Sequence, residues 1–509
     1  MPAWTRVVGL VSSSVPNDRK CPDVASHFVA VAFPLRHAIS LLVAAAFAPA
    51  AHAADLLTIT QDALEHSATL NSSRSTFKST EAGQDVERGD LLPQISATGS
   101  AYRYNSLESQ SYANSAAAGS SSTSTSGEDY NGTSLGVNVT QALFDATNWY
   151  EYEQSKKQVG QQALQLEIDQ QQLLYDVSEA YFEILRAKEV LDARQAQEKA
   201  IGRQLEQANE QFSVGLVAIT DVNEAKAAFD SARAQRIAAK NDLQVSFETL
   251  ERLTGQQYAS IASLDDELPI QPPAPANRDD WVDMALASSP SIQYAQAAVD
   301  VAKSGVDIAR SGHLPTLDAF ADYSYSDNDR DELRGHNEDV QVGVQANLPI
   351  YTGGSTSASV RQNTYSLEAT QYDFEDQRRF TTQQVRSLFT QVGNDVESVD
   401  AQREAIVSSR SALEATRAGY EVGTRNIVDV LDAEQSLYES ISDYADARYT
   451  YVTDLLQLRQ QAGVLSLEVI RGTNRWLSDS KPVSLTSVDD ADMSAVDDIG
   501  KRPTPPSMP

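Results

Sequence analysis

VQVGVQANLPI, from Val340 to Ile350, puts Val340, Val342, Val344, Ala346, Leu348 and Ile350 on alternate positions, with Gln341, Gly343, Gln345 and Asn347 between them. Successive side chains of a strand point to opposite faces, so a period of two gives one apolar and one polar face: a strand between two unlike media. Leu135, Val137 and Val139 against Gly136, Asn138 and Thr140 repeat the pattern earlier in the chain. A weaker alternation precedes each, in Ile95 to Tyr104 and Leu317 to Tyr325, with Tyr102, Tyr104, Tyr323 and Tyr325 near the ends. The reading is thus of strands over 95–104, 133–144, 317–325 and 339–351. Between them, Asn105 to Gly132 is dominated by Ser, Ala, Gly and Thr, and Ser326 to Glu338 by charge. Neither can bury a core, so both read as solvated loops.

The strands come in pairs because the chain is duplicated. Leu92-Pro93-Gln94-Ile95-Ser96-Ala97 recurs as Leu314-Pro315-Thr316-Leu317-Asp318-Ala319, an offset of 222, and Phe212-Ser213-Val214-Gly215 as Tyr420-Glu421-Val422-Gly423, an offset of 208. So long a period means a doubled domain rather than a solenoid. The first repeat is read as 54–268 and the second as 280–475, joined by a Pro-rich linker over 269–279. Each opens with a helical segment, Thr58 to Arg88 and Asp280 to Ser311.

After each hairpin comes a helix of unusual length. Asn148 to Ser213 holds no proline, and its 66 residues at ~1.5 Å each reach ~100 Å, against the usual ~10–14 residues of a globular helix. The second copy runs over 355–421. Leu173, Val177, Ala180, Ile184, Ala187 and Leu191 step by 4, 3, 4, 3 and 4, the spacing of a coiled-coil seam. Gly215 and Gly423 suit helix C-caps, followed by helices over 221–253 and 429–462. There Asp221 with Glu224, and Asp429 with Asp432, read as capping-box-like pairs that complement the helix dipole, worth ~0.3–1 kcal/mol.

Composition narrows the class. Forty Lys and Arg against 71 Asp and Glu leave a net charge of −31, which disfavours a nucleic-acid partner, since phosphate binding needs clustered cations. No run of ~18 apolar residues spans a bilayer as a helix. Ala38 to Ala51 follows Arg36 and His37 and ends in Ala51-His52-Ala53, the pattern of a secretory signal peptide cut after Ala53. The stretch ahead of Arg36 is long for a leader and points to a start downstream of Met1. Residues 1–53 hold four cations and two acids, so the 456 residues after cleavage carry 36 cations and 69 acids, a net charge of −33. The single cysteine, Cys21, lies in the leader away from a lipobox, so neither disulfides nor lipid attachment is expected. His66, His313 and His336 show no metal-ligand spacing, and phosphate loops and nucleophile elbows are absent, so neither cofactor nor enzymatic activity is expected. The 476–509 tail, with Asp489, Asp490, Asp492, Asp497 and Asp498 before Pro503 to Pro509, reads as disordered.

Strands in lipid must close into a barrel, because no backbone group there can stay unpaired. Four strands are too few to close. Several copies must then share one barrel and continue it into water as a helical bundle. Periodicity leaves open whether three or four take part. A surface coiled-coil adhesin would leave the one-sided strands unexplained, and a free-standing porin the long helices.

FSVGLVAITDV from Phe212 to Val222, GYEVGTRNIVDVLDA from Gly419 to Ala433, GHLPTLDA from Gly312 to Ala319 and LPIYTGG from Leu348 to Gly354 resemble the TolC family of outer-membrane export channels. The resemblance covers nearly all of the chain after the leader. It implies an α+β membrane protein: a homotrimeric 12-stranded outer-membrane β-barrel continued by a periplasmic α-helical coiled-coil tunnel in a Gram-negative cell. Such ducts export drugs, small molecules or secreted proteins. The partners implied are a periplasmic adaptor (membrane fusion protein), an inner-membrane RND, ABC or MFS-type transporter, and outer-membrane lipid. Carried over by position, Thr220, Asp221, Tyr420 and Arg425 would form the periplasmic gate. Asp429 and Asp432 would form an entrance carboxylate ring, which favours multivalent cations. Val214, Gly215, Leu216, Val422, Gly423 and Thr424 would form the adaptor-contacting tips.

Overall fold

The computed structural model describes residues 53–105, 129–264, 268–329 and 335–484; from Ala53 onward these belong to one compact unit. The leader, and with it the cleavage reading, lies outside the described residues.

Four long strands form one antiparallel sheet: β1 (Gln94–Asn105), β2 (Asp129–Phe144), β4 (Thr316–Asn328) and β5 (Gly335–Asn347), side by side in that order. Residues directly opposed in antiparallel strands share a face. The register lines up Ala97, Val137, Tyr323 and Val340 in one row and Ile95, Val139, Ala321 and Val342 in the next. On the other face Ser96, Asn138, Asp322 and Gln341 align, and the Asn138 amide donates to the Asp322 carboxylate. The alternation seen in sequence is therefore a property of a whole sheet. Its apolar face is uncovered in the single chain: Ile95, Val340, Val342 and Val344 are 62–75% exposed. No described strand pairs with the outer edge of β1 or β5.

Both predicted loops are shorter than expected. Asp129 to Gly132 belongs to β2, while Ser326 to Asn328 and Gly335 to Glu338 extend β4 and β5, because ladder pairing continues past the end of the apolar alternation. Residues 106–128 and 330–334 lie outside the described residues. Conversely, β5 stops at Asn347 rather than at 351, where Pro349 lacks the N–H that a ladder needs.

The helices α3 (Ala146–Ser213) and α7 (Ser355–Glu421) span 68 and 67 residues. Asp145 starts α3 by accepting from the Thr147 N–H at 2.8 Å, which satisfies an otherwise orphan donor. The seam from Leu173 to Leu191 is buried along its length, packed on α4 (Ile219–Thr254) and α8 (Ile427–Gln461). Each opening helical segment is broken in two: α1 (Leu56–His66) from α2 (Ala68–Gly89) at Ser67, and α5 (Arg278–Ser288) from α6 (Pro290–Ser311) at Ser289. Pro290 disfavours a helical conformation at Ser289. Ser67, its counterpart at the offset of 222, keeps the same extended backbone without a proline.

Two further departures lie midway along the helices. β3 (Ser260–Leu264) pairs with β6 (Leu477–Ser484), so the first part of the expected disordered tail is a strand. The reason is apolar: Val483 and Ile261 are buried in the main core, and β6 adds a second partner to β3, which Ala54 bridges at Ile261. Ahead of β6, α9 (Leu467–Asn474) is tied to the start of α1, with Asn474 Nδ2 donating to Asp55 at 2.8 Å. The linker is strapped down as well, Tyr451 donating to the Gln271 carbonyl at 2.9 Å. α5 already begins at Arg278, inside the 269–279 stretch.

Candidate functional site at the helix tips

The helices turn back at two tips, and both turns are built alike. In the first, the Leu216 N–H reaches the Gln211 carbonyl and the Gly215 N–H the Phe212 carbonyl, each at 2.9 Å. In the second, Thr424 bonds to Gly419 at 2.9 Å and Gly423 to Tyr420 at 3.0 Å. This paired pattern ends a helix on a left-handed residue. Gly215 and Gly423 stand at φ +76° and +78° with open space around them, so backbone conformation rather than crowding demands glycine there. The turns leave Val214, Leu216 and Val422 between 69% and 76% exposed, an apolar cap on otherwise polar tips.

Helix starts after the turns differ from the sequence reading. The N-cap of α4 is Ala218, without a side-chain bond, so Asp221 sits three residues inside the helix and does not cap it. At α8 the cap is Asn426. Its side chain accepts from the Asp429 N–H at 2.8 Å, and Asp429 accepts back from the Asn426 N–H at 3.2 Å. Asp429 is thus the inner member of a reciprocal box, and Asp432 is exposed one turn on. The sequence reading sets Asp221 and Asp429 at the caps; the structure places each three residues further in, because Ala218 and Asn426 occupy the cap positions.

Tyr420 links the two hairpins at the tip. Half-buried, it packs against both apolar clusters near the tip, the one that holds Val222, Ile427 and Leu431 and the one that holds Leu413, Val430 and Leu437. Its hydroxyl donates to Gln211 Oε1 on α3 at 3.0 Å. Burial first, and the charge of Asp221 second, push the phenol above its ordinary value, so it stays a proton donor. Thr220 donates to Asp221 at 3.2 Å. Arg425 turns instead to Asp429 of its own turn, Nη1 to Oδ2 at 3.9 Å, and lies over Gly419, where an added Cβ would fall 2.8 Å from Arg425 Cγ. Within one chain, then, Tyr420 and Asp221 are neighbours while Arg425 is not brought to them. Asp432 lines a groove of about 310 Å³ among α3, α4 and α8 with Gln197, Glu224, Ser231 and Gln435.

Sequence reading missed the strongest polar link near the tip. Glu434 on α8 is fully buried, and its Oε1 accepts from Arg417 Nη2 on α7 at 2.5 Å and from Gln204 Nε2 on α3 at 3.2 Å. One carboxylate ties three helices within a few turns of Tyr420. The signal available was an acid at a position otherwise apolar by helical spacing, between Leu431 and Leu437.

A sheet with one exposed apolar face, joined to two helices of ~100 Å that end in turned tips, is the architecture of a subunit of an outer-membrane export duct. The chain belongs to the outer membrane efflux protein family, whose profile matches residues 59–256 and 281–464. It is 36% identical over 352 residues to Outer membrane protein TolC of Vibrio cholerae, covering 68% of this chain and 80% of that protein. It is 32% identical over 340 residues to Alkaline protease secretion protein AprF of Pseudomonas aeruginosa, covering 66% and 71%. The fold matches the crystal structure of the Campylobacter jejuni CmeC outer membrane channel with a TM-score of 0.66 at 17% identity, over 83% of this chain and 90% of that one. The resemblance read from the tip and hairpin segments is thereby established, and the family is one of transport channels rather than enzymes.

Proposed function

We propose that three copies of the chain close a single outer-membrane barrel of twelve strands and extend it into the periplasm as a helical tunnel. This exit duct passes drugs, other small molecules or secreted proteins delivered by an inner-membrane RND, ABC or MFS-type transporter through a periplasmic adaptor. The observation that carries the reading is a four-stranded sheet with an exposed apolar face and both edges unpaired among the described residues. In lipid such edges are satisfied only by neighbouring copies. The strands, 12–16 residues long, exceed the ~9–11 that a tilted strand needs to cross a bilayer. Secretion is supported by the likeness to AprF, efflux by the family itself.

At the tips, Thr220, Asp221, Tyr420 and Arg425 act as the periplasmic gate, in which Tyr420 with Gln211 and Asp221 supplies the link inside each chain. Arg425, held only loosely by Asp429, is free to reach a neighbouring copy. Asp429 and Asp432, repeated around the axis, form the carboxylate ring. The exposed Val214, Leu216 and Val422, with Gly215, Gly423 and Thr424, offer the adaptor an apolar contact. The test is the mass and conductance of the detergent-solubilised protein: a trimer that conducts in planar bilayers is expected, and a stable single-copy species without a pore refutes the assembly.

A further inference from the structure

Midway along the α7–α8 pair, far in sequence from the tips, two aspartates meet. Asp395 on α7 is 6% exposed among apolar neighbours such as Val392 and Val399, and its Oδ1 accepts from Gln391 Nε2 at 3.0 Å. Its Oδ2 is buried and receives no N–H or hydroxyl donor. The carboxyl of Asp454 on α8 lies beside that of Asp395, within hydrogen-bonding reach of it. Two carboxylates both lack a donor, so such a contact is attractive only when one of them holds a proton. Among the described residues no cation pairs with either carboxyl, and the groups that shift Asp395, Asp454 and Gln391, carry no positive charge.

The other groups that face the pair directly are acidic or neutral. From α3, Tyr175 and Glu179 face Asp454, with Asp176 beside them; Arg252 of α4 acts on Asp176. α5 meets α7 nearer its start, where Asp279 pairs with Arg386 at 3.8 Å, and α6 meets it earlier still, around Asp373. Farther along α8, Arg459 acts with Tyr451. Among the described residues there is no cluster of three or more metal-ligating side chains, so a proton is the ligand that fits.

We propose that Asp395 and Asp454 form a proton-binding site that clamps α7 to α8: one proton held between the two carboxyls joins the helices, and its release to water leaves two like charges in contact. Burial, reinforced by Asp454, lifts the Asp395 carboxyl from its usual 3.8 to about 7, and burial raises Asp454 too; the two titrate as a unit. An exposed carboxyl loses its proton near 3.8 while the paired one keeps it until about 7. The clamp is therefore complete below the lower value, weakens as pH rises through the window between them, and is constant above. Because it concerns only the α7–α8 contact, it stands or falls apart from the gate reading.

The experiment is amide hydrogen exchange of the full chain in detergent from pH 5 to 8.5, corrected for the intrinsic pH dependence of exchange and read around Val392–Val399 and Val452–Leu456. In the wild type the opening constant should rise by about tenfold per pH unit up to about pH 7 and then level. Asp395→Asn supplies its own donor to Asp454, so it should stay protected with a flat pH profile. Asp395→Ala should be open at every pH. A flat wild-type profile, or an unchanged slope in Asp395→Asn, overturns the proposal. Should the variants fold poorly, infrared spectroscopy of the wild type decides: a protonated-carboxyl band is expected at pH 6 and lost at pH 9, and its absence at pH 6 refutes the site.

Discussion

Replacing Arg417 by Ala should loosen the tip far more than replacing Arg425, although Arg425 is the more conspicuous candidate in the sequence. Glu434 is 0% exposed and pairs at 2.5 Å with Arg417, itself 42% exposed. Stripping one partner from a buried pair costs ~3–5 kcal/mol because a charge is left uncompensated. Here water reaches Arg417's side, and Gln204 still donates to Glu434, so the cost falls to or just below the bottom of that scale: ~2–3 kcal/mol, or roughly 30- to 150-fold in local opening. Arg425 and Asp429 form an exposed pair at 3.9 Å, of the kind worth ~0–1 kcal/mol, at most about fivefold. Amide exchange of the Ile427–Leu437 turns in the full chain measures both. Glu434→Gln added to Arg417→Ala should recover most of the protection, because the orphaned charge is then gone. Equal or greater exchange in Arg425→Ala, or no recovery in the double variant, would refute the reasoning.

Tyr420→Phe combined with Arg425→Ser should raise single-channel conductance in planar bilayers, and unchanged conductance would discard the gate assignment. A trivalent cation added from the periplasmic side should block the current, and Asp429→Ala with Asp432→Ala should abolish the block; block that persists in the double variant would place the cation elsewhere. Gly423→Ala, at φ +78°, should cost ~1 kcal/mol of tip stability through backbone strain alone, visible as faster exchange at Thr424 and Arg425. Truncation after Trp476 removes β6 and uncovers the buried Ile261, so the melting temperature should fall; an unchanged value would show that β6 adds nothing.

Much was legible because the patterns repeat twice in one chain. Period two gave the four strands, the proline-free run with its 4–3 seam gave α3 and the duplication α7, and the glycines at the tips gave the turns. What escaped depends on partners distant in sequence. The strand β6 carries little alternation of its own and forms because β3, more than 200 residues earlier, lies beside it. Asp221 and Asp429 stood out as acids near a helix start, yet which residue caps was settled by where the turn released the backbone, at Ala218 and Asn426. Glu434 and Asp395 look like ordinary polar positions of solvated helices until the fold buries them.

By itself the sequence determined the duplicated plan, the two-faced strands and the length of the helices, since these follow from local periodicity and from which residues break a helix. Only the tertiary structure decided which polar groups face one another: Tyr420 with Gln211, Arg417 and Gln204 with Glu434, Asp395 with Asp454. Local propensity is carried by neighbours along the chain, whereas the strength of a charge contact depends on burial and on geometry across helices.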